Sequence, residues 1–264
     1  MKDLIISHLP ASYPWQGNIY YFPTIDSTNT RAKEMAANGA PHGTVLIADM
    51  QTGGRGRMGR SFHSPAGSGI YLSMILRPNC PATALMHLTC AVAVAAADGI
   101  EAVTAMRPGI KWTNDLVVGK RKLGGILTEL SVNSAGNVEY AIVGIGINCS
   151  QSASDFPEEI RNIATSLQIC TGKSFDRAAV IAQILVALEK MSVNLLDPAA
   201  ALAQYRRDCV TIGNEISVVR GDEIRHGTAL NVDESGALVV RFTDGQIGTV
   251  NSGEVSIRGM YGYV

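Results

Sequence analysis

The sequence predicts an α+β protein, with a large domain over residues 1–210 and a small β-rich domain over 211–264. Three observations carry this. Two long apolar runs, 123–132 and 138–148, flank Asn133-Ser134-Ala135-Gly136-Asn137, a hairpin signal. Before and after them lie helical patterns, the alanine-rich stretch 81–100 and the apolar series Val180, Ile184, Leu185, Leu188, Met191. After Cys209 the texture changes to short alternating runs separated by glycine or Asp-Glu-Ser-Gly turns, as in a small antiparallel barrel.

The elements follow in order. Residues 1–17 hold two prolines and weak periodicity, so they read as a loose lead-in. Residues 18–22 form a strand. Asp26 or Ser27 caps a helix that runs to about Asn38, with Gly39 as its stop. Strands are predicted at 44–50 and 70–76, and a long helix at 82–99. Residues 110–112 and 116–118 flank a turn at Asn114-Asp115, and Gly119-Lys120 makes a hairpin turn into the strand at 123–132. Helices dominate 174–208, and short strands follow at 215–220, 227–232, 237–242 and 247–251.

Composition narrows the classes of function. Hydrophobic residues make up 46% of the 264, enough for a core and against disorder. The net charge of −1 gives no global field toward DNA or membrane. Five dispersed cysteines, without a C-x-x-C pair, read as reduced thiols of a cytoplasmic protein. The five histidines are scattered too, which argues against a structural zinc site. No secretory signal is visible, and stretch 81–100 reads as a buried helix rather than a membrane span.

Four clusters could carry chemistry. The first is Gln51-Thr52-Gly53-Gly54-Arg55-Gly56-Arg57-Met58-Gly59-Arg60, which lacks any acid. Glycine allows close backbone approach and arginine supplies forked donors, so the loop suits a bound anion. Its G-x-G-x-x-G spacing is not a dinucleotide fingerprint, because no helix starts there and the distal acid is missing. The second is Lys111-Trp112-Thr113-Asn114-Asp115-Leu116, whose Asn-Asp pair also reads as a plain turn. The third is Arg121-Lys122-Leu123-Gly124-Gly125-Ile126-Leu127-Thr128-Glu129, where a lysine can reach a ligand lying over the glycines. The fourth is Gly144-Ile145-Gly146-Ile147-Asn148, alternate glycines that bare one face of a strand.

Together with Ser27-Thr28-Asn29, and in this order, the clusters resemble the biotin–protein ligases, also called biotin–[acetyl-CoA-carboxylase] ligases. The resemblance covers most of the chain. It implies a mixed, mostly antiparallel sheet with helices on one face, like the class II aminoacyl-tRNA synthetases, plus a small C-terminal barrel like Src-homology-3 domains. It implies adenylation of biotin by ATP with Mg²⁺, then transfer from biotinyl-5′-AMP to a lysine of a biotin carboxyl carrier domain. No prosthetic group is implied. Only a short lead-in precedes Ser27, so no DNA-binding domain and no sequence-specific DNA binding are expected. A homodimer is compatible with the sequence but not selected by it.

The resemblance also assigns residues. Lys122 is the expected catalytic residue, bridging the biotin carboxyl and the α-phosphate, with Arg55 and Arg57. Ser27, Thr28, Asn29, Gln51, Gly54, Arg55, Gly56, Arg57, Lys122, Gly124, Gly125, Leu127 and Gly144 are expected around biotin. Arg57, Arg60, Phe62, Lys111, Asn114, Asp115 and Asn148 are expected around the nucleotide, and Asp115 near Mg²⁺. Phe62 stands where the family has tryptophan, and Thr113 where it has proline. The arginine loop is expected to lack order before a ligand arrives. A lipoate–protein ligase and a non-catalytic biotin binder are the alternatives; the arginine loop with the Lys-Trp-Asn-Asp block favours biotin transfer.

Overall fold

The computed structural model describes residues 1–251 and the strand at 256–259; the remaining positions of the predicted small domain lie outside the described residues. A seven-stranded sheet is built from β1 (Ile19–Ile25), β2 (Thr44–Gln51), β3 (Gly69–Leu76), β4 (Gly109–Lys111), β5 (Asp115–Val118), β6 (Arg121–Val132) and β7 (Val138–Asn148). Its spatial order is β1-β2-β3-β7-β6-β5-β4. Only β1 and β2 run parallel; the other neighbours are antiparallel, so the sheet is mixed and mostly antiparallel as expected. The parallel pair needs a crossover, and α2 (Thr28–Ala37) supplies it.

Alternation along the strands divides the core. Val45 and Ile47 join a large cluster on one face, with α3 (Leu88–Thr104) and α6 (Arg177–Val193). Gly99 lets these two helices touch, since a Cβ there would sit 2.5 Å from the Cα of Ile184. The stretch 82–104 is apolar enough by composition to cross a membrane, but 72% of its apolar window is buried here as a core helix. On the opposite face, Leu46, Ile75 and Ile142 form a small cluster with Ala32 and Ala36 of α2. The long helices thus share one face, while α2 lies across the other beside the bare glycines of β7.

The lead-in expectation is corrected. Residues 2–8 form helix α1 (Lys2–His8), whose Ile5 is fully buried, and Leu9 and Tyr13 are buried behind it. A helix so short buries one position, too few to show a period. The predicted helix at 82–99 begins instead as a 3₁₀ turn, Ala82–Leu85, and runs on to Thr104. Short helices α4 (Glu158–Arg161) and α5 (Leu167–Thr171) were not foreseen; α7 (Ala199–Asp208) falls inside the predicted helical region.

The C-terminal part is a five-stranded antiparallel sheet, ordered β11-β10-β9-β8-β12. It contains β8 (Glu215–Arg220), β9 (Glu223–Val232), β10 (Leu238–Phe242), β11 (Ile247–Val250) and β12 (Ser256–Gly259). Buried bonds join it to the larger sheet. Trp112 donates its indole N–H to Gly236 O at 3.0 Å, and its backbone N–H to Thr211 Oγ1 at 2.8 Å.

Candidate active site

Register places the site. Asp115 lies opposite Gly125, Gly125 opposite Gly146, and Gly146 opposite Tyr71, one row across four strands. Two residues along, Leu127, Gly144 and Ser73 form the next row on that face. Over these rows opens a cleft of about 370 Å³, bounded by the arginine loop and the N-terminus of α2.

One end of the cleft is ionic. Lys122 Nζ pairs with Asp115 Oδ1 at 2.6 Å. Arg57 donates to Asn114 Oδ1 at 2.9 Å, and Asn114 donates onward to Ile126 O at 3.0 Å. Burial pulls the Arg57 guanidinium below its ordinary value while Asp115 opposes the change; an arginine stays charged regardless. The Lys122 backbone is clamped from outside its strand: its N–H donates to Ile163 O at 2.7 Å, and Thr165 N–H donates to its carbonyl at 2.8 Å. Lys111 lines the same end and is buried.

The other end is polar and almost uncharged. Asn29 donates to Glu129 Oε2 at 2.9 Å, and its Oδ1 accepts from Ser73 Oγ at 2.6 Å. Thr28 N–H donates to Gln51 Oε1 at 2.9 Å, and Gln51 Nε2 donates to Ser64 Oγ at 3.0 Å. Ser27 caps α2 and is buried. At the rim Glu129 also accepts from Lys33 at 2.6 Å and has Arg55 3.7 Å away. Burial alone would raise the Glu129 carboxyl, but bonds from Lys33 and Asn29 hold it below the ordinary value.

Two backbone bonds shape the arginine loop. Phe62 N–H donates to Gly54 O at 2.9 Å and Gly56 N–H to Arg60 O at 2.7 Å, closing a narrow hairpin.

Of the residues expected in the site, Ser27, Thr28, Asn29, Gln51, Arg55, Gly56, Arg57, Arg60, Phe62, Lys111, Asn114, Asp115, Lys122, Gly125, Leu127 and Gly144 line the cleft together. Three expectations are corrected. Gly124 faces the opposite side of β6, where a Cβ would overlap Gly146 O. Gly54 sits at the loop base, where a Cβ would overlap Phe62 O, so it closes the hairpin rather than lining the cleft. Asn148 is buried and donates to Thr165 O at 2.9 Å, holding the segment that clamps Lys122. Two glycines gain a second explanation. A Cβ on Gly144 would overlap Asn29 Oδ1, and one on Gly146 would sit 2.7 Å from the Phe62 ring. The bare face of β7 thus admits protein side chains as well as a ligand. Phe62, expected to stack on adenine, lies over Gly146 edge-to-face with Tyr71, ring centres 6.3 Å apart. Ser73 was missed; a hydroxyl in an otherwise apolar strand was the signal available.

The chain is similar to known proteins in both of its parts. Residues 21–148 match the biotin/lipoate A/B protein ligase family, and residues 211–258 match the biotin protein ligase C-terminal domain. The bifunctional ligase/repressor BirA of Bacillus subtilis is 38% identical over 232 residues, 86% of this chain and 70% of that protein. The biotin–[acetyl-CoA-carboxylase] ligase of Mycobacterium tuberculosis is 33% identical over 236 residues, 87% of this chain and 85% of that protein. Among solved structures, the Aquifex aeolicus biotin protein ligase in complex with biotin and ATP superposes with a TM-score of 0.78 at 30% identity, covering 92% of this chain and 99% of that one. A chain with both matching domains, and with relatives this similar along most of its length, belongs to the biotin protein ligase family.

Proposed function

We propose that this chain activates biotin with ATP to biotinyl-5′-AMP and passes the biotinyl group to a lysine of a biotin carboxyl carrier domain, such as that of acetyl-CoA carboxylase. The observation that carries the reading is the division of one cleft into a neutral hydrogen-bonding end and a cationic end. Biotin has the same division, a polar uncharged ring at one end and a carboxylate at the other.

The residues act as follows in this proposal. Thr28 and Gln51 bond the ureido ring, with Ser27 and Asn29 shaping its pocket. Gly125, Leu127 and Gly144 give the floor. Lys122, released from Asp115, places its ammonium between the biotin carboxylate and the α-phosphate. The carboxylate oxygen attacks the α-phosphorus, the bond to pyrophosphate breaks, and the two reacting anions are held together against their repulsion. Arg55, Arg57 and Arg60 offset the growing charge from the loop, and Asn114 positions Arg57. The acceptor amine then attacks the acyl carbon, AMP leaves, and the nitrogen's proton passes to solvent. Loop and Phe62 shield the anhydride from water.

Mg²⁺ accompanies ATP in this reading. No group of three or more metal-ligating side chains occurs among the described residues. Asp115 supplies a carboxylate in the cleft, which fits an ion bound chiefly through phosphate oxygens. We place the domain boundary at 210/211, with the Trp112 bonds to Thr211 and Gly236 tying the two parts. The β1 edge of the larger sheet is the surface offered to a carrier strand, since the outer side of β4 is met by Cys209 and Val210.

The test is a mass gain of one biotin on a purified carrier domain, with biotin, ATP and Mg²⁺. Gain with wild type and its loss with Lys122→Ala support the proposal. Binding of biotin without pyrophosphate release would make the chain a binder, and gain only with lipoate would change the acyl group.

A further inference from the structure

Ser73 is fully buried in β3, and no step above uses it. A hydroxyl in that setting costs stability unless it is bonded, and its bonds here have a direction. Asn29 Nδ2 lies 2.9 Å from Glu129 Oε2 and 3.3 Å from Leu127 O. Both partners only accept, so the amide nitrogen faces them and Asn29 Oδ1 faces Ser73. Ser73 spends its single proton on Asn29 Oδ1, 2.6 Å away. Toward Thr28 Oγ1, at 2.8 Å, Ser73 can then only accept. The Thr28 hydroxyl also lies 3.1 Å from Gln51 Oε1, a second acceptor for its proton. Giving the proton to Ser73 relieves what would otherwise be a lone-pair contact at 2.8 Å, so it is drawn into the sheet and lone pairs are left toward the cleft. Gln51 Oε1 is fixed as an acceptor too, because it takes Thr28 N–H at 2.9 Å while Gln51 Nε2 is held by Ser64 at 3.0 Å. This end of the cleft therefore presents two acceptor oxygens. A cyclic urea offers two N–H groups to meet them, whereas a dithiolane offers none.

We infer that Ser73 is a positioning residue for ligand specificity: it sets the hydrogen-bond direction of Thr28 so that the ring pocket accepts from a ligand's N–H groups. The inference rests on the biotin reading above. A pocket built to accept from N–H groups rejects a ring without them far more strongly than a size difference would. The chain Glu129–Asn29–Ser73–Thr28 carries a fixed charge at one end and ends at the ligand, so its members act through one another.

The experiment uses the full chain as wild type, Ser73→Ala, Thr28→Val and the double variant. Biotin affinity is read by calorimetry, and kcat and the two KM values by pyrophosphate release. Ser73→Ala is expected to weaken biotin about tenfold in Kd and KM, the size of one misdirected buried bond. Its kcat and its KM for ATP should stay within about twofold, the mark of lost ground-state binding. In the Thr28→Val background Ser73→Ala should add nothing, since its target is gone. Unchanged biotin binding in Ser73→Ala overturns the inference alone, as does full multiplication of the two effects. So does a joint fall of kcat and both affinities, which marks a merely structural role. Should Ser73→Ala fail to fold, Ser73→Cys, with a weaker donor of similar shape, is held to the same criteria. Failure of wild type to bind biotin overturns the functional reading and this inference with it.

Discussion

The two ends of the cleft are built in opposite ways. At the polar end every bond among Asn29, Ser73, Thr28, Gln51 and Ser64 is made within the protein before a ligand arrives. At the ionic end Lys122 is held by Asp115, whose place the proposed reaction gives to a substrate carboxylate or phosphate. The first arrangement keeps geometry and pays no ordering cost on binding. The second keeps a cation solvated by the protein until another anion takes the place of Asp115. On the proposed function, recognition is a property of fixed dipoles and catalysis a property of exchangeable charge.

Removing the exchangeable charge is the strongest way to test this contrast. Lys122→Ala should lower kcat for pyrophosphate release by about 10²–10³, as for loss of one oxyanion-type donor. Calorimetry should still find biotin bound; loss of binding on the same scale would erase the contrast between the ends. Next in size is an attack on the fixed end. Gly144→Ala puts a methyl group where Asn29 Oδ1 sits, and should cost about 1–3 kcal/mol of stability through overpacking. Biotin KM should rise more than kcat falls, measured by steady-state kinetics beside a thermal melt.

How far the sequence reached follows the same division. The charged residues were legible because they cluster in short motifs, and sixteen expected residues do converge on the cleft. Gly144 and Gly146 were legible as a bare strand face, but not what fills it, because Asn29 and Phe62 come from distant segments. Gly124 was misplaced by one residue of strand alternation, which moves a side chain to the other face. Asn148 was read from its motif as a ligand contact; its bond to Thr165 depends on a returning segment 17 residues away that no local pattern announces. Ser73 sat inside an apolar strand and was read as core. The fold was legible wherever elements were long, as in β6, β7 and α6, and lost where one turn of helix buried a single side chain, as in α1.

Two smaller effects sharpen the comparison. Glu129→Gln keeps an acceptor for Asn29 but removes the charge shared with Lys33 and Arg55. Biotin affinity should fall about two- to fivefold, in line with a charged bond becoming neutral. The acid limb should change as well. The folded Glu129 carboxyl lies below its ordinary 4.5, so its stabilisation is present above that value and is lost as pH falls through the folded value. Wild type should therefore lose stability more steeply than Glu129→Gln below about pH 4.5 in acid unfolding, and coincident curves would contradict the pairing. The smallest effect belongs to Phe62→Trp, which enlarges the ring over Gly146. A change in ATP KM of less than about threefold is expected, since one aromatic contact contributes about 0.5–1.5 kcal/mol.

The indole of Trp112 has a consequence for observation. The chain has two tryptophans, Trp15 and Trp112. The first touches Tyr13 and His42, away from the cleft. The second lines the cleft and gives its N–H to a carbonyl of the C-terminal sheet. Its emission is therefore an internal optical probe of how the two sheets meet beside the cleft. In a Trp15→Phe background, a red shift would signal that the C-terminal sheet had pulled away and let water reach the ring.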